Sequence, residues 1–221
     1  MGSRPRHHRG QASGVRPLPR VHAFTDGAVL GAGDFGIRAA AIAAGGPAVA
    51  LHARHPGGTG AGLALSARRL VSLARPPEAA VFVSGRADIA AAIGGHGVQL
   101  GTSDLAPADA RRVLPGGWIG RSVHTLEEAG AAVAEGADFL VVGSIYRTAS
   151  HPEREPAGPE LVTRTARLGL PVIAIGGVTP EHVAELKDAG AYGVAAIRAL
   201  WHAADPAGVT MAMLFPWLED R

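Results

Sequence analysis

The stretch Ile119–Thr148, "IGRSVHTLEEAGAAVAEGADFLVVGSIYRT", decides the fold. Its opening residues finish an apolar run, "WIGRSV", that stops at His124. Thr125 follows, with Glu128 three positions later, which is the spacing of a capping box and predicts a helix through "TLEEAGAAVAEG". The next run, "DFLVVGS", is apolar at nearly every position instead of alternating. A strand of that kind has both faces buried, as happens in a parallel sheet covered by helices. The stretch therefore reads as strand, helix, strand, with a histidine where the first strand hands over to the helix.

The same unit repeats outward in both directions. Upstream lie "VHAFT", "DFGIRAAAIAAG", "AVALHA", "LALSARRLVSLA", "AAVFVS", "ADIAAAIG", "GVQLG" and "PADARRVL"; downstream lie "PELVTRTARLG", "PVIAIGG", "PEHVAELKDAG", "YGVAAI" and a helical piece near "MAMLFPWLED". Thr179-Pro180 supplies an N-cap and N1 proline, and Gly190 closes the helix that follows. Eight strand–helix units over about 200 residues predict a single-domain α/β protein, a closed (β/α)8 TIM barrel. An open Rossmann-like sheet is the alternative.

Composition narrows the function. With 47% hydrophobic but 5% aromatic residues, the core must be built from Ala, Val, Leu and Ile. Zero cysteines remove thiolate nucleophiles and Cys-ligated zinc. Lys187 is the one lysine and falls mid-helix, which argues against Schiff-base chemistry. The first twenty residues carry Arg4, Arg6, Arg9, Arg16 and Arg20 without an acid, so the formal +2 of the chain becomes −3 without them. Residues 1–20 are expected to be a disordered basic tail and residues 21–221 the catalytic barrel. Lacking a basic stripe interleaved with aromatics, the barrel is expected not to bind nucleic acid. No apolar run is long enough to span a bilayer and no secretory leader is recognisable, which predicts a cytoplasmic protein with no membrane partner. A homo-oligomer is compatible with the sequence.

Chemistry in such barrels sits on the loops after the strands. "AIGGVTPEH" places Gly176 and Gly177 after the seventh strand, where backbone amides can approach an anion; Ala196 and Ile197 in "GVAAIRAL" offer a second set, so a phosphate site is expected there. His124 is a candidate proton shuttle or a polar neighbour of a backbone carbonyl. Arg54 in "LHARH" is placed to clamp a carboxylate or phosphate. Asp104 in "GTSDL" caps the helix starting near Pro107 or binds a metal, and "RTASHPEREPAG" is long enough for a lid, with His151 and Arg154 in it.

The ordered landmarks "HAFTD", "LHARH", "VSGRADIA", "GVQLGTSDL", "GRSVHTLEEA", "GADFLVVGSIYRT" and "PVIAIGGVTPEHVAELKDAGAYGVAAI" resemble the thiamin phosphate synthase superfamily over about Val21 to Leu200. Through "GRADIA" and "GRSVH" the chain is more particularly similar to the TenI-type branch, the thiazole tautomerases. That resemblance implies a cofactor-independent isomerase that aromatises a carboxythiazole phosphate in thiamin biosynthesis, with His124 as acid and base. The phosphate would rest on Gly176, Gly177, Ala196 and Ile197, and the substrate would be contacted by Arg54, Ser122, Ser144, Thr148 and Ser150. A synthase would instead be implied to use Mg2+, a carboxylate pair and lysines. Of these Asp104 survives, while Ser84-Gly85 stand at the other carboxylate position, His151 replaces one lysine, and "RHPGG" lacks the other. Arg198 stands where the synthases frequently have serine. The expectation is therefore a tautomerase with no metal; the alternatives are a Mg2+-dependent thiamin phosphate synthase, with Asp104 as metal ligand, or a non-catalytic binder of a phosphate ligand.

Overall fold

The computed structural model describes residues 16–74, 78–148 and 155–218. Eight strands run in chain order: β1 (Val21–Phe24), β2 (Val49–Ala53), β3 (Ala80–Ser84), β4 (Gly97–Leu100), β5 (Trp118–Val123), β6 (Phe139–Val142), β7 (Val172–Ile175) and β8 (Gly193–Ala196). Each pairs in parallel with its sequence neighbours, and β8 returns to β1 at Val21↔Val194, so the sheet closes into a (β/α)8 barrel. The helices are α1 (Gly27–Gly31), α2 (Phe35–Ala43), α3 (Gly60–Ala74), α4 (Ala87–Ala92), α5 (Pro107–Val113), α6 (Leu126–Ala134), α7 (Pro159–Ala166), α8 (Val183–Asp188), α9 (Arg198–Trp201) and α10 (Pro206–Leu214). Their buried faces are rich in alanine, as at Ala39, Ala67, Ala90, Ala110 and Ala129, which lets each helix lie close on the strands. Among the described residues, no helix is long and apolar enough to cross a membrane.

Two hydrophobic cores follow from strand alternation. Residues facing outward, such as Val49, Leu51, Val81, Val83, Leu140 and Val142, pack beneath the helices. Residues facing inward, among them Phe24, Phe82, Phe139, Ile173 and Ala195, fill the barrel. Gly120 on β5 has a local reason: a Cβ there would collide with the Phe139 ring and the Gln99 side chain.

The inward layer holds two fully buried histidines. His22 and His52 meet through Nδ1 and Nε2 at 2.8 Å, and His22 Nε2 lies 3.0 Å from the Pro19 carbonyl. The carbonyl can only accept, so His22 donates from Nε2 and its Nδ1 accepts from His52 Nε2–H. That leaves His52 Nδ1 as a buried acceptor without a protein partner. Burial holds both imidazoles in their neutral form, His22 being pushed down to about 4 and His52 well below its ordinary value. Phe24 stacks on His52 at 3.9 Å, and His52 on Phe82 at 4.9 Å, forming a column of rings that descends from the barrel mouth.

Residues 16–20, expected to belong to the tail, lie against the opposite end of the barrel. Leu18 is buried, the Trp118 indole donates to the Arg16 carbonyl at 3.0 Å, and the Tyr192 hydroxyl donates to the Leu18 carbonyl at 2.8 Å. The Arg20 guanidinium sits 3.7 Å from the centre of the Tyr192 ring. The remainder of the expected tail, residues 1–15, is outside the described residues, as are Ser150, His151 and Arg154 of the expected lid.

Candidate active site

A cavity of about 900 Å3 opens at the C-terminal mouth of the barrel. Its floor is Phe24, the top ring of the column, with Val141, Ile175 and Ala195 beside it. The expected site residues Arg54, Ser122, His124, Ser144, Thr148, Gly176, Gly177, Ala196 and Ile197 all line it. Strand ends bring them together from β2, β5, β6, β7 and β8.

The glycine side of the cavity is fixed by close backbone packing. Gly176 and Gly177 have φ of +102° and +65°, a region that strongly favours glycine. A Cβ on Gly177 would lie 2.5 Å from the Arg147 carbonyl oxygen and 2.8 Å from the Tyr146 Cβ. The β6 loop is therefore pressed onto the β7 loop. Tyr146 strengthens that seam by stacking on His182 at 3.9 Å and donating its hydroxyl to Glu185 at 2.5 Å. Burial and the Glu185 carboxylate raise the tyrosine pKa, so it stays a donor.

His124 is held from two directions. Its ring Nδ1 meets the Gly143 carbonyl, so the proton resides there and the Nε2 lone pair is left for other partners. Its backbone N–H donates to Glu128 at 2.6 Å, while Glu128 N–H donates to the Thr125 hydroxyl at 3.1 Å. Beside it on β4 and β5, Gln99 donates to Ser122 Oγ at 2.9 Å, whereas Gln99 Oε1 and Ser84 Oγ have no protein partner. Ser122 thus retains its own hydrogen for another acceptor.

Three arginines line the cavity: Arg54, Arg147 and Arg198. Arg54 is the most enclosed; desolvation lowers its pKa, with the Asp26 carboxylate acting in the opposite direction. Arg147 and the floor residue Phe24 were not among the sequence candidates. Phe24 ends β1 in "HAFTD", so the strand-end rule alone would have selected it; Arg147 lies five positions beyond the end of β6, in "GSIYRT", where that rule does not single it out.

Asp104 behaves differently. Its carboxylate accepts from Gly101 N–H at 2.6 Å, and a Cβ on Gly85 would lie 3.1 Å from both of its oxygens. Asp104 closes its own turn, and no carboxylate lines the cavity among the described residues. No group of three His, Cys, Asp or Glu among those residues is arranged to hold a metal ion. The residues present do not fit a resident Mg2+, which needs carboxylates directed at the ion.

A (β/α)8 barrel whose mouth, among the described residues, is lined by arginines and no carboxylate defines a class: barrel proteins whose C-terminal face suits an anionic ligand. The chain belongs to the TMP-TENI family, thiamine monophosphate synthase, which matches residues 23–200. It is 42% identical over 152 residues to the thiamine biosynthesis bifunctional protein ThiM/ThiE of Symbiobacterium thermophilum, a match covering 67% of this chain and 32% of that one. It is 42% identical over 153 residues to the thiamine-phosphate synthase of Salinispora tropica, covering 67% of this chain and 73% of the relative. Among solved structures, thiamine phosphate pyrophosphorylase from Pyrococcus furiosus superposes with a TM-score of 0.76 at 28% identity, covering 90% of this chain and 96% of the other.

These relatives overturn the expected thiazole tautomerase. Proteins sharing 39 to 42% identity are named thiamine-phosphate synthase, which makes the isomerase reading a mistaken one and favours a transferase. A physical reason accompanies the correction. Three of the ionisable groups lining the cavity are permanently charged guanidiniums, suited to neutralising anions.

Proposed function

We propose that this chain is a cytoplasmic thiamin phosphate synthase, a transferase that couples a thiazole phosphate to a pyrimidine methyl diphosphate. The observation that carries the reading is the cavity of about 900 Å3 lined by three arginines and no described carboxylate, within a family of synthases. That size suits two heterocycles and their phosphates, being near the upper end of ordinary ligand pockets.

In the coupling, the thiazole ring nitrogen uses its lone pair to bond the pyrimidine methylene carbon. The carbon–oxygen bond to diphosphate breaks, its electron pair leaves with the diphosphate, and the ring nitrogen becomes cationic. The protein's tasks are to hold two anions, align the rings and keep water away. The amides of Gly176, Gly177, Ala196 and Ile197 take the thiazole phosphate, with the hydroxyls of Ser144 and Thr148 nearby and Ser150 assigned to the same loop. Ser122 donates to a phosphate oxygen, while His124 Nε2 accepts from a substrate amino or hydroxyl group. Phe24 supplies a flat apolar floor for a ring.

The test is incubation of the purified full chain with both substrates while following thiamin phosphate and inorganic pyrophosphate together. Equimolar appearance of the two is expected. Absence of coupling above the buffer rate, with and without divalent cations, would remove the reading.

A further inference from the structure

We infer that Arg54, Arg147 and Arg198 hold the substrate diphosphate directly and neutralise it as it leaves, in place of a resident divalent cation. The inference rests on the synthase reading for the identity of the anion, and on the geometry of the mouth for how it is held.

The charge distribution is one-sided. Arg54 rises from β2, Arg147 from the loop after β6 and Arg198 from the end of β8, so guanidiniums reach the cavity from separate parts of its wall. Asp104 is turned away into the Gly101 amide and the surface of Gly85, and does not oppose them. Among the described residues, a divalent cation entering such a mouth meets like charge and no aimed carboxylate, whereas a diphosphate meets several forked donors. Two of the arginines also have little else to do. Arg198 is exposed, and the charge partner of Arg147 is Glu155 at 3.7 Å, a pair whose side chains are 71% and 88% exposed. An exposed pair at that length exchanges readily for a polyanion. Arg147 is further tied to the phosphate-side loop, because its carbonyl oxygen is the atom that leaves no space for a side chain at Gly177. A diphosphate drawn to Arg147 and Arg198 is therefore held beside the loops assigned to the other substrate's phosphate.

The experiment is calorimetric titration of the full chain with inorganic pyrophosphate, first in EDTA and then in excess Mg2+. Binding is expected in EDTA, with Mg2+ improving the dissociation constant by less than about threefold; Arg147→Gln with Arg198→Gln should weaken it by about tenfold or more, the effect of losing charge-assisted contacts. Both residues are exposed, and an unchanged melting temperature identifies the variant as folded. Binding that requires Mg2+, or that survives the double substitution undiminished, overturns the inference. The coupling assay separates this outcome from the synthase reading: coupling with Mg2+-dependent pyrophosphate binding sinks the arginine clamp alone, while metal-free binding lost in the double variant supports the clamp even if coupling is absent.

Discussion

At the scale of the residue, the most consequential side chains are those whose charge the fold fixes. His22 and His52 are neutral because the barrel interior cannot solvate an imidazolium. The unfolded chain takes up the His22 proton near 6.5, whereas the folded one does so only near 4. Stability is thus complete above about pH 7 and falls as pH drops from 6.5 towards 4, by up to about 3 kcal/mol for His22 alone. Urea unfolding at pH 7.5 and 4.5 should show that loss, and His22→Gln should reduce the pH dependence; an equally steep variant would show that other groups carry it. The histidine pair was not legible in the sequence, since "VHAFT" and "LHARH" do not say which side of a strand faces the other. Most of the mouth was legible, because glycines and polar residues at the ends of apolar strands have few other reasons to be there. Arg147 was missed because an arginine in a polar loop looks like solvated surface, and only the loop's contact with Gly177 distinguishes it.

At the scale of the element, strands were read correctly because parallel strands buried on both faces are apolar throughout. The short helices α1 and α9, of five and four residues, were not anticipated, since segments so short carry no helical period. Caps were half legible. The Thr125–Glu128 spacing predicted a reciprocal box, and the Thr125 side chain does accept from Glu128 N–H. The carboxylate, however, reaches one residue further back, to the His124 amide at 2.6 Å. Helix α6 thereby anchors the backbone that carries the His124 ring. Thr125→Ala should cost about 1 kcal/mol of stability, as loss of an N-cap does. Glu128→Ala should cost a similar amount and in addition raise KM for the coupling substrates severalfold, because His124 loses its backbone tether. Chemical unfolding and steady-state kinetics on the pair check this. Equal KM values in the two variants would mean that Glu128 is only a cap.

For the molecule as a whole, composition and repeat count were enough to read a closed barrel, but not how its far end is sealed. Arg16–Arg20 carry no apolar periodicity, yet Leu18 is buried and the Arg16, Leu18 and Pro19 carbonyls receive Trp118, Tyr192 and His22. Removing residues 1–15, which keeps Arg16–Arg20 and their contacts, should leave the melting temperature within about 2 °C. Removing residues 1–20 should lower stability by about 3 kcal/mol or more, from the buried leucine and the hydrogen bonds that Arg16–Arg20 make to the barrel. Differential scanning fluorimetry on both truncations compares them, and equal melting temperatures would deny the strap a structural part.

The seam between β1 and β8 also has a consequence in time. Val21 is paired with Val194, and Tyr192 holds Leu18 across 174 positions of sequence. A ribosome makes these partners far apart in time, so the first strand emerges long before its closing neighbour exists. Until β8 is out, β1 presents an unpaired edge and the aromatic interior has an open side, the kind of surface that chains in synthesis bury on each other. Contacts so distant along the chain are slow to form. The barrel therefore closes only once β8 has been made, and a chain arrested before Gly193 would carry an open ring with sticky edges rather than a smaller enzyme.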